Sequence, residues 1–202
     1  ATLAAYEHCT VTVGSGVSAA AIAQNANLAT RTVAATLPSA SGNIAAGQIS
    51  ASTAVVDPAL THSHLSIARP TTWAASSISY AFELNAPLKQ TDKVDLVLPA
   101  FTLGTMPTPT TVGCGTTTFT ATASASGTTT AQIRLTAATA DLAADTRCEV
   151  TIASGVRVSR ITQNANLATR TVAIDFSQAK DIGAAQITAS TGVVIPMPAI
   201  KQ

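Results

Sequence analysis

Residues 76–99 decide the fold, and they read S-S-I-S-Y-A-F-E-L-N-A-P-L-K-Q-T-D-K-V-D-L-V-L-P. Apolar and polar residues alternate at both ends of this stretch, which is the period of a β-strand with one buried face. The signal Asn85-Ala86-Pro87 predicts a turn between the two alternating runs. The apolar residues of the two runs are Ile78, Tyr80, Phe82 and Leu84, then Val94, Leu96 and Leu98.

The same two-residue period continues around Phe119, Ile133, Val150, Val172 and Ile187. Turns that contain Gly, Asn and Asp separate these runs. Enrichment in Thr and Val, which are typical strand residues, agrees with this interpretation. Roughly seven to nine short strands of this kind indicate a β-sandwich, so we predict an all-β chain. The Ala-rich residues 135–144 leave one short helix open as an alternative.

An internal repeat divides the chain. Residues 24–34 and 163–173 both read Q-N-A-N-L-A-T-R-T-V-A, and they stand 139 positions apart. The similarity extends upstream through Cys9 and Cys148 to Leu3 and Leu142, and it fades downstream near Pro58 and Pro196. A period of this length matches one β-sandwich rather than one turn of a solenoid.

The repeat predicts one complete β-sandwich unit and one partial unit. Residues 1–57 correspond to the closing strands of a unit, residues 58–196 form a complete unit, and residues 197–202 form a tail or linker. A partial unit leaves strand edges unpaired, so a neighbouring segment or chain must complete it. Either a neighbouring chain donates a strand, or the chain is a window on a longer tandem polypeptide. The apolar donor candidates are Val193, Val194 and Ile195.

The two copies of the repeated segment have the same eleven residues, which favours a contact surface that is used once per unit. Recent duplication without selection explains the identity equally well. In the first interpretation Arg31 and Arg170 reach a neighbouring module. The predicted contact residues are Gln24, Asn25, Asn27 and Arg31, with their equivalents Gln163, Asn164, Asn166 and Arg170.

Two segments resemble repeats of large extracellular surface or filament proteins of microalgae and other microbes. They are residues 76–102, with a D-K-V turn and an L-P-A-F-T strand end, and residues 146–156, which read T-R-C-E-V-T-I-A-S-G-V. The resemblance implies immunoglobulin-like sandwich units that are extracellular, arranged in tandem and not catalytic.

The chain contains three cysteines, of which Cys114 and Cys148 lie in the complete unit. We predict a disulfide between these two, which indicates an oxidising, extracellular setting. Three free buried cysteines are the alternative. Cys9 is the repeat equivalent of Cys148, so it is left to pair with another chain, to pair with a segment outside this sequence, or to remain a free thiol.

Threonines near proline suggest O-linked glycans, because residues 106–111 read M-P-T-P-T-T and such stretches are extended and exposed. An ordinary polar strand face and an ice-binding face are the alternatives. No N-linked sequon occurs in the sequence. The candidate sites are Thr108, Thr110, Thr111, Thr116 and Thr117.

Composition excludes several classes of protein. Eleven Lys and Arg oppose ten Asp and Glu, so no basic surface for nucleic acid is expected. No apolar run is long enough to span a membrane. His62 and His64 share a strand face but lack a third ligand, so they are weak metal candidates and we expect no metal or cofactor. No nucleophile stands beside a base in a recognised motif, so we expect no enzyme.

The sequence therefore predicts a structural subunit of an extracellular filament or surface fibre. Its partners are copies of itself in a linear polymer, and its surface carries covalent glycans. The alternative is a cell-surface adhesin or carbohydrate-binding module on a repeat stalk. That alternative is weakened because exposed aromatic platforms are scarce: Trp73, Tyr6 and Tyr80 are the only Trp and Tyr.

Overall fold

The computed structural model describes residues 10–13, 23–35 and 44–196, which divide into two compact units between Asp57 and Pro58. Every regular element among these residues is a β-strand, as predicted. The helix left open for residues 135–144 is absent. Residues 132–137 form a strand instead, because the alternation of Ile133 and Leu135 buries both side chains in the core.

The partial unit contains one antiparallel pair among its described residues. Strand β1 (Thr32–Ala35) pairs with β2 (Ile44–Gln48), with Thr32 opposite Gln48. A separate bridge joins Gln24 to Val55 and brings the two ends of this segment together.

Two sheets form the complete unit. The first sheet contains, in spatial order, β13 (Ala189–Ser190), β3 (Leu60–Ile67), β4 (Ala75–Leu84), β10 (Cys148–Arg157) and β6 (Thr102–Leu103), with β7 (Thr110–Val112) also paired to β10. The second sheet contains, in spatial order, β12 (Ile182–Gln186), β11 (Thr171–Asp175), β5 (Lys93–Val97), β9 (Gln132–Ala137) and β8 (Phe119–Ser124). Neighbouring strands are antiparallel except β13 and β3, which run parallel with Ala189 opposite His64.

The apolar faces of both sheets build one core. The inward residues of β4 and β5 are almost fully buried, as their alternation predicted. The ring of Tyr80 stacks on Phe82 with centroids 5.6 Å apart, and Phe82 meets the edge of Phe119 at 6.2 Å. Two sheets around a shared apolar core are consistent with a β-sandwich.

Burial protects Tyr80 from ionisation. Its hydroxyl lies 2.9 Å from the hydroxyl of Ser63, and burial raises the pKa of Tyr80 far above its usual value. Because the pKa of Tyr80 is higher in the folded than in the unfolded state, its neutral phenol contributes to the free energy of unfolding. That contribution is fully present below the unfolded pKa of about 10 and is lost as the pH rises further.

We therefore expect Tyr80 to ionise only when the complete unit unfolds in alkali. Near-ultraviolet absorbance of a Tyr6→Phe variant reports Tyr80 alone, since the chain has two tyrosines. Ionisation and loss of structure should coincide during a pH titration. A phenol that titrates near pH 10 while the fold persists would contradict this expectation.

Candidate assembly site

The repeated segment of the complete unit is fixed by Asn166. This residue has a left-handed backbone with φ 54°, which Asn adopts more readily than most residues. Its amide N–H donates to the Ser190 carbonyl at 3.1 Å, and its Oδ1 accepts the Ser190 N–H at 2.7 Å. Asn166 therefore ties the loop before β11 to β13.

Arg170 connects the same parts from within the core. Its side chain is fully buried, and its Nη1 donates to the Ser190 hydroxyl at 3.2 Å and to the Thr191 carbonyl. Its Nη2 donates to Gln163 Oε1 at 2.9 Å, and the guanidinium lies 5.8 Å from the Phe101 ring centroid. Burial lowers the pKa of Arg170. The prediction that Arg170 reaches a neighbouring module is wrong, because its contacts all lie within its own unit.

The partial unit has the same hydrogen-bond framework. Asn27 has φ 53°, its N–H donates to the Ser52 carbonyl at 3.2 Å, and its Oδ1 accepts the Ser52 N–H at 2.7 Å. Arg31 Nη2 donates to Gln24 Oε1 at 3.1 Å, and Nη1 donates to the Thr53 carbonyl. The repeated sequence therefore specifies a local structure that forms in both units.

Substitution of Asn166 tests this framework. Asn166→Ala is expected to lower the free energy of unfolding by about 2 kcal/mol, because alanine disfavours the left-handed backbone and cannot accept the Ser190 N–H. The matched control Asn166→Asp retains an acceptor and should stay within about 0.5 kcal/mol of the parent chain. Urea unfolding followed by Trp73 fluorescence measures both, because the only tryptophan lies in the complete unit. Equal losses of unfolding free energy in the two variants would contradict the role that we assign to the Asn166 side chain as an acceptor.

The two copies differ in what covers them. Apolar residues that are buried in the complete unit have exposed equivalents in the partial unit. The matched pairs, with exposed fractions, are Val11 (80%) and Val150 (1%), Val13 (64%) and Ile152 (1%), Val33 (64%) and Val172 (0%), and Ile49 (37%) and Ile187 (0%). We call these four exposed residues of the partial unit, Val11, Val13, Val33 and Ile49, the open face.

The complete unit shows which strands cover such a face. Its residues 58–147, here the opening half, pack against residues 148–195, here the closing segment. Val172 lies opposite Leu96 in the β11–β5 pair, and Val150 lies opposite Tyr80 in the β10–β4 pair. In the partial unit, by contrast, β1 pairs with β2 alone among the described residues.

The predicted disulfide between Cys114 and Cys148 is present, with Cα atoms 4.5 Å apart. It joins the opening half to the first residue of β10. Cys9 lies outside the described residues. A disulfide is typical of proteins from oxidising compartments.

The remaining predicted contact residues take different positions. Asn25 and Asn164 are exposed, as is Ile195. Val193 is buried and forms a bridge with Gln163, while Val194 forms a parallel bridge with Thr71. Two of the three donor candidates are therefore already paired in their own unit, and residues 197–202 lie outside the described residues.

The threonine candidates for glycosylation separate by exposure. Thr108, Thr110 and Thr116 are exposed, and Thr111 is partly exposed. The prediction for Thr117 is wrong, because its side chain is buried in the core and a sugar on its hydroxyl would have no room.

His62 and His64 lie on β3, both partly buried, and the Nε2 atom of His62 has no hydrogen-bond partner. In the described part of the chain, no cluster of three or more His, Cys, Asp or Glu side chains has the arrangement of a metal site. The pair stays a weak candidate.

Sequence reasoning missed a cluster around Trp73. The guanidinium carbons of Arg157 and Arg160 lie 4.8 Å and 3.8 Å from its ring centroid, and Arg157 also donates to the Trp73 carbonyl at 3.3 Å. An open cavity of about 370 Å³ adjoins the ring and is lined also by Ser159 and Ile161. A comparison of the two repeats could have drawn attention to this cluster, because the first repeat has Ser18 and Ala21 where the second has Arg157 and Arg160.

Within residues 10–13, 23–35 and 44–196, no helix has the length and apolar character needed to cross a membrane. Comparison of the chain with protein-family models, with curated proteins and with solved structures found no match.

Proposed function

We propose that this chain is a structural module of an extracellular filament or surface fibre, built from immunoglobulin-like sandwich units that are joined in line. The observation that carries the proposal is the open face of the partial unit. The repeat equivalents of its residues are buried in the core of the complete unit, so the open face has the chemistry of an interior surface.

Energetics favour covering the open face. Burying a Val or Ile side chain contributes about 1.5–3 kcal/mol, and four such side chains are exposed in the partial unit. Exposed apolar residues of this kind promote association with another surface. A contact between different surfaces of successive units gives an open, linear assembly when its rotation does not close a ring.

Surface chemistry supports an extracellular setting. The disulfide is typical of secreted proteins, and charged residues make up only 10% of the chain. Thr108, Thr110, Thr111 and Thr116 offer accessible hydroxyls for O-linked sugars. Intact-mass measurement of the natural protein should show hexose increments above the bare chain, and a mass equal to the bare chain would remove the glycan from the proposal.

Electron microscopy of the natural material tests the assembly. Cell-surface material is purified without reductant, imaged by negative stain, and labelled with antibodies against residues 58–196. We expect label along linear particles at regular intervals. Label on single, dispersed particles would overturn the proposal, whichever segment or chain completes the partial unit.

The Trp73 cluster favours a second candidate function, binding of acidic carbohydrate. Arg157 and Arg160 are exposed, they stack on an indole, and neither is paired with a carboxylate among the described residues. Arginine suits bidentate recognition of carboxylate or sulfate groups.

Calorimetric titration with a polyuronate, with a neutral glucan as control, tests this candidate. Arg160→Gln should weaken polyuronate binding about tenfold, whereas Arg134→Gln should leave it unchanged, because Arg134 is paired with Asp95 at 2.8 Å elsewhere on the surface. Equal effects of both substitutions would indicate unspecific charge attraction.

A further inference from the structure

We infer that the Trp73 cavity is one half of a longer groove, which binds a linear acidic polysaccharide across β10 at Arg157. The other half is a second cavity on the opposite side of Arg157, where Arg69 supplies a further cation. This inference rests on the second candidate function, because it extends the Trp73 site and specifies a ligand that carries anionic groups on successive sugars.

The second cavity lies beside β10, next to the end of β3 and the start of β4. It has a volume of about 270 Å³, and it is lined by Arg69, Ser77, Ser154 and neighbouring small residues. The Arg69 N–H donates to the Ser76 hydroxyl at 2.9 Å, which fixes the backbone of Arg69 against β4. The cavity therefore combines one guanidinium group with hydroxyl groups.

A bulge in β10 makes room for this cavity. Between the pairs that Ile152 and Val156 form with β4, three residues of β10 lie opposite one residue of β4. Gly155 permits the bulge, since its backbone is left-handed with φ 83° and a Cβ atom there would collide with the Thr105 carbonyl. The backbone of the sheet therefore determines the shape of the cavity.

Arg157 stands between the two cavities. Its neighbour on one side is Thr102 of β6, which lines the Trp73 cavity. Its neighbour on the other side is Ala75 of β4, which lines the second cavity. Adjacent strands lie only about 4.8 Å apart, so a ligand that crosses β10 at Arg157 can reach both cavities.

Three exposed arginines on this surface lack a counter-charge. Arg69, Arg157 and Arg160 form no ion pair with a carboxylate in the described part of the chain. Separated anionic groups on one ligand would compensate all three, because guanidinium groups bind carboxylate and sulfate through paired hydrogen bonds. The sequence segments that build the surface contain no Asp or Glu, and they are residues 58–82, 96–140 and 150–174.

The lining favours a saccharide over a peptide or a nucleic acid as the anionic polymer. The side-chain hydroxyls of Thr102, Ser77 and Ser154 have no hydrogen-bond partner among the described residues, and sugar hydroxyls can pair with them. Two guanidinium groups already stack on the Trp73 ring, which leaves less of it for a nucleobase. The net charge of the chain, +1, is also low for a nucleic-acid binder.

Calorimetric titration of the full 202-residue chain with a uronate disaccharide and with a long oligouronate tests the inference. We expect the oligouronate to bind at least about tenfold more tightly, because only the longer ligand reaches both cavities. Arg69→Gln should remove this advantage and leave disaccharide binding unchanged, whereas Arg160→Gln should weaken the binding of both ligands. The matched control Arg147→Gln removes an exposed arginine next to the other end of β10 and should change neither affinity.

A second variant tests the cavity without changing its charge. Ser77→Tyr places a ring in the second cavity and should lower the affinity for the oligouronate about tenfold, with no change for the disaccharide. The matched control Thr120→Tyr, on an exposed position of β8 in the other sheet, should leave both affinities unchanged. Tyrosine is a typical strand residue, and urea unfolding followed by Trp73 fluorescence checks that each variant keeps the fold.

Three outcomes would overturn the inference: equal affinities for the two ligands, equal effects of Arg69→Gln and Arg147→Gln, or an oligoglutamate of equal charge that binds as tightly as the oligouronate. In the last case the hydroxyls of the cavities would contribute nothing. An effect of Arg160→Gln without any effect of Arg69→Gln would leave the second candidate function standing and remove the second cavity from it. The filament proposal is tested by microscopy and does not depend on these titrations.

Discussion

Replacing both Cys114 and Cys148 by alanine is expected to lower the free energy of unfolding of the complete unit by about 3–4 kcal/mol. The disulfide joins residues 34 positions apart, and opening a loop of this length restores conformational freedom to the unfolded chain. Urea unfolding followed by Trp73 fluorescence measures the loss. Double substitution is needed, because a single one leaves a reactive thiol in the core.

Cys9 provides the control for this experiment. Cys9→Ser should leave the unfolding midpoint of the complete unit unchanged, since the disulfide of that unit does not use Cys9. A loss below about 1 kcal/mol in the double variant would show that packing alone holds the two halves together.

Arg170→Ala is expected to lower the free energy of unfolding of the complete unit by about 3 kcal/mol. The substitution removes donors from Ser190, Thr191 and Gln163 and leaves a cavity under Phe101. The internal repeat offers a matched change, because Arg31 makes equivalent bonds but is only half buried.

Arg31→Ala should therefore lower the free energy of local opening of the partial unit by less than about 1 kcal/mol. Hydrogen exchange at the Asn27 and Ser52 amides measures that opening, while Trp73 fluorescence measures the complete unit. Similar losses in the two units would show that burial contributes nothing to the role of Arg170.

The sequence predicted those features that depend on local pattern. Alternation in residues 76–99 predicted two strands and their buried face, since a strand places successive side chains on opposite sides. The repeat predicted equivalent segments, and the structure adds that Asn27 and Asn166 share one backbone conformation. The disulfide was predicted from the position of two cysteines within one unit.

The burial of Arg170 could not be predicted from local pattern, because arginine is seldom buried and its surroundings come from distant strands. The same holds for Thr117, whose neighbours in the sequence are exposed. The Trp73 cluster depends on contacts between residues more than eighty positions apart. Such features arise from how the sheets pair, which a two-residue period does not specify.

The parallel pairing of β3 with β13 has a mechanical consequence for a chain under tension. The complete unit begins at one end of β3, and it ends just beyond β13, where Val194 exchanges hydrogen bonds with Pro70 and Thr72. Force applied at the two ends pulls these neighbouring strands in opposite directions along their length. The bonds between them then carry the load together in shear rather than opening one after another, and this arrangement resists stretching.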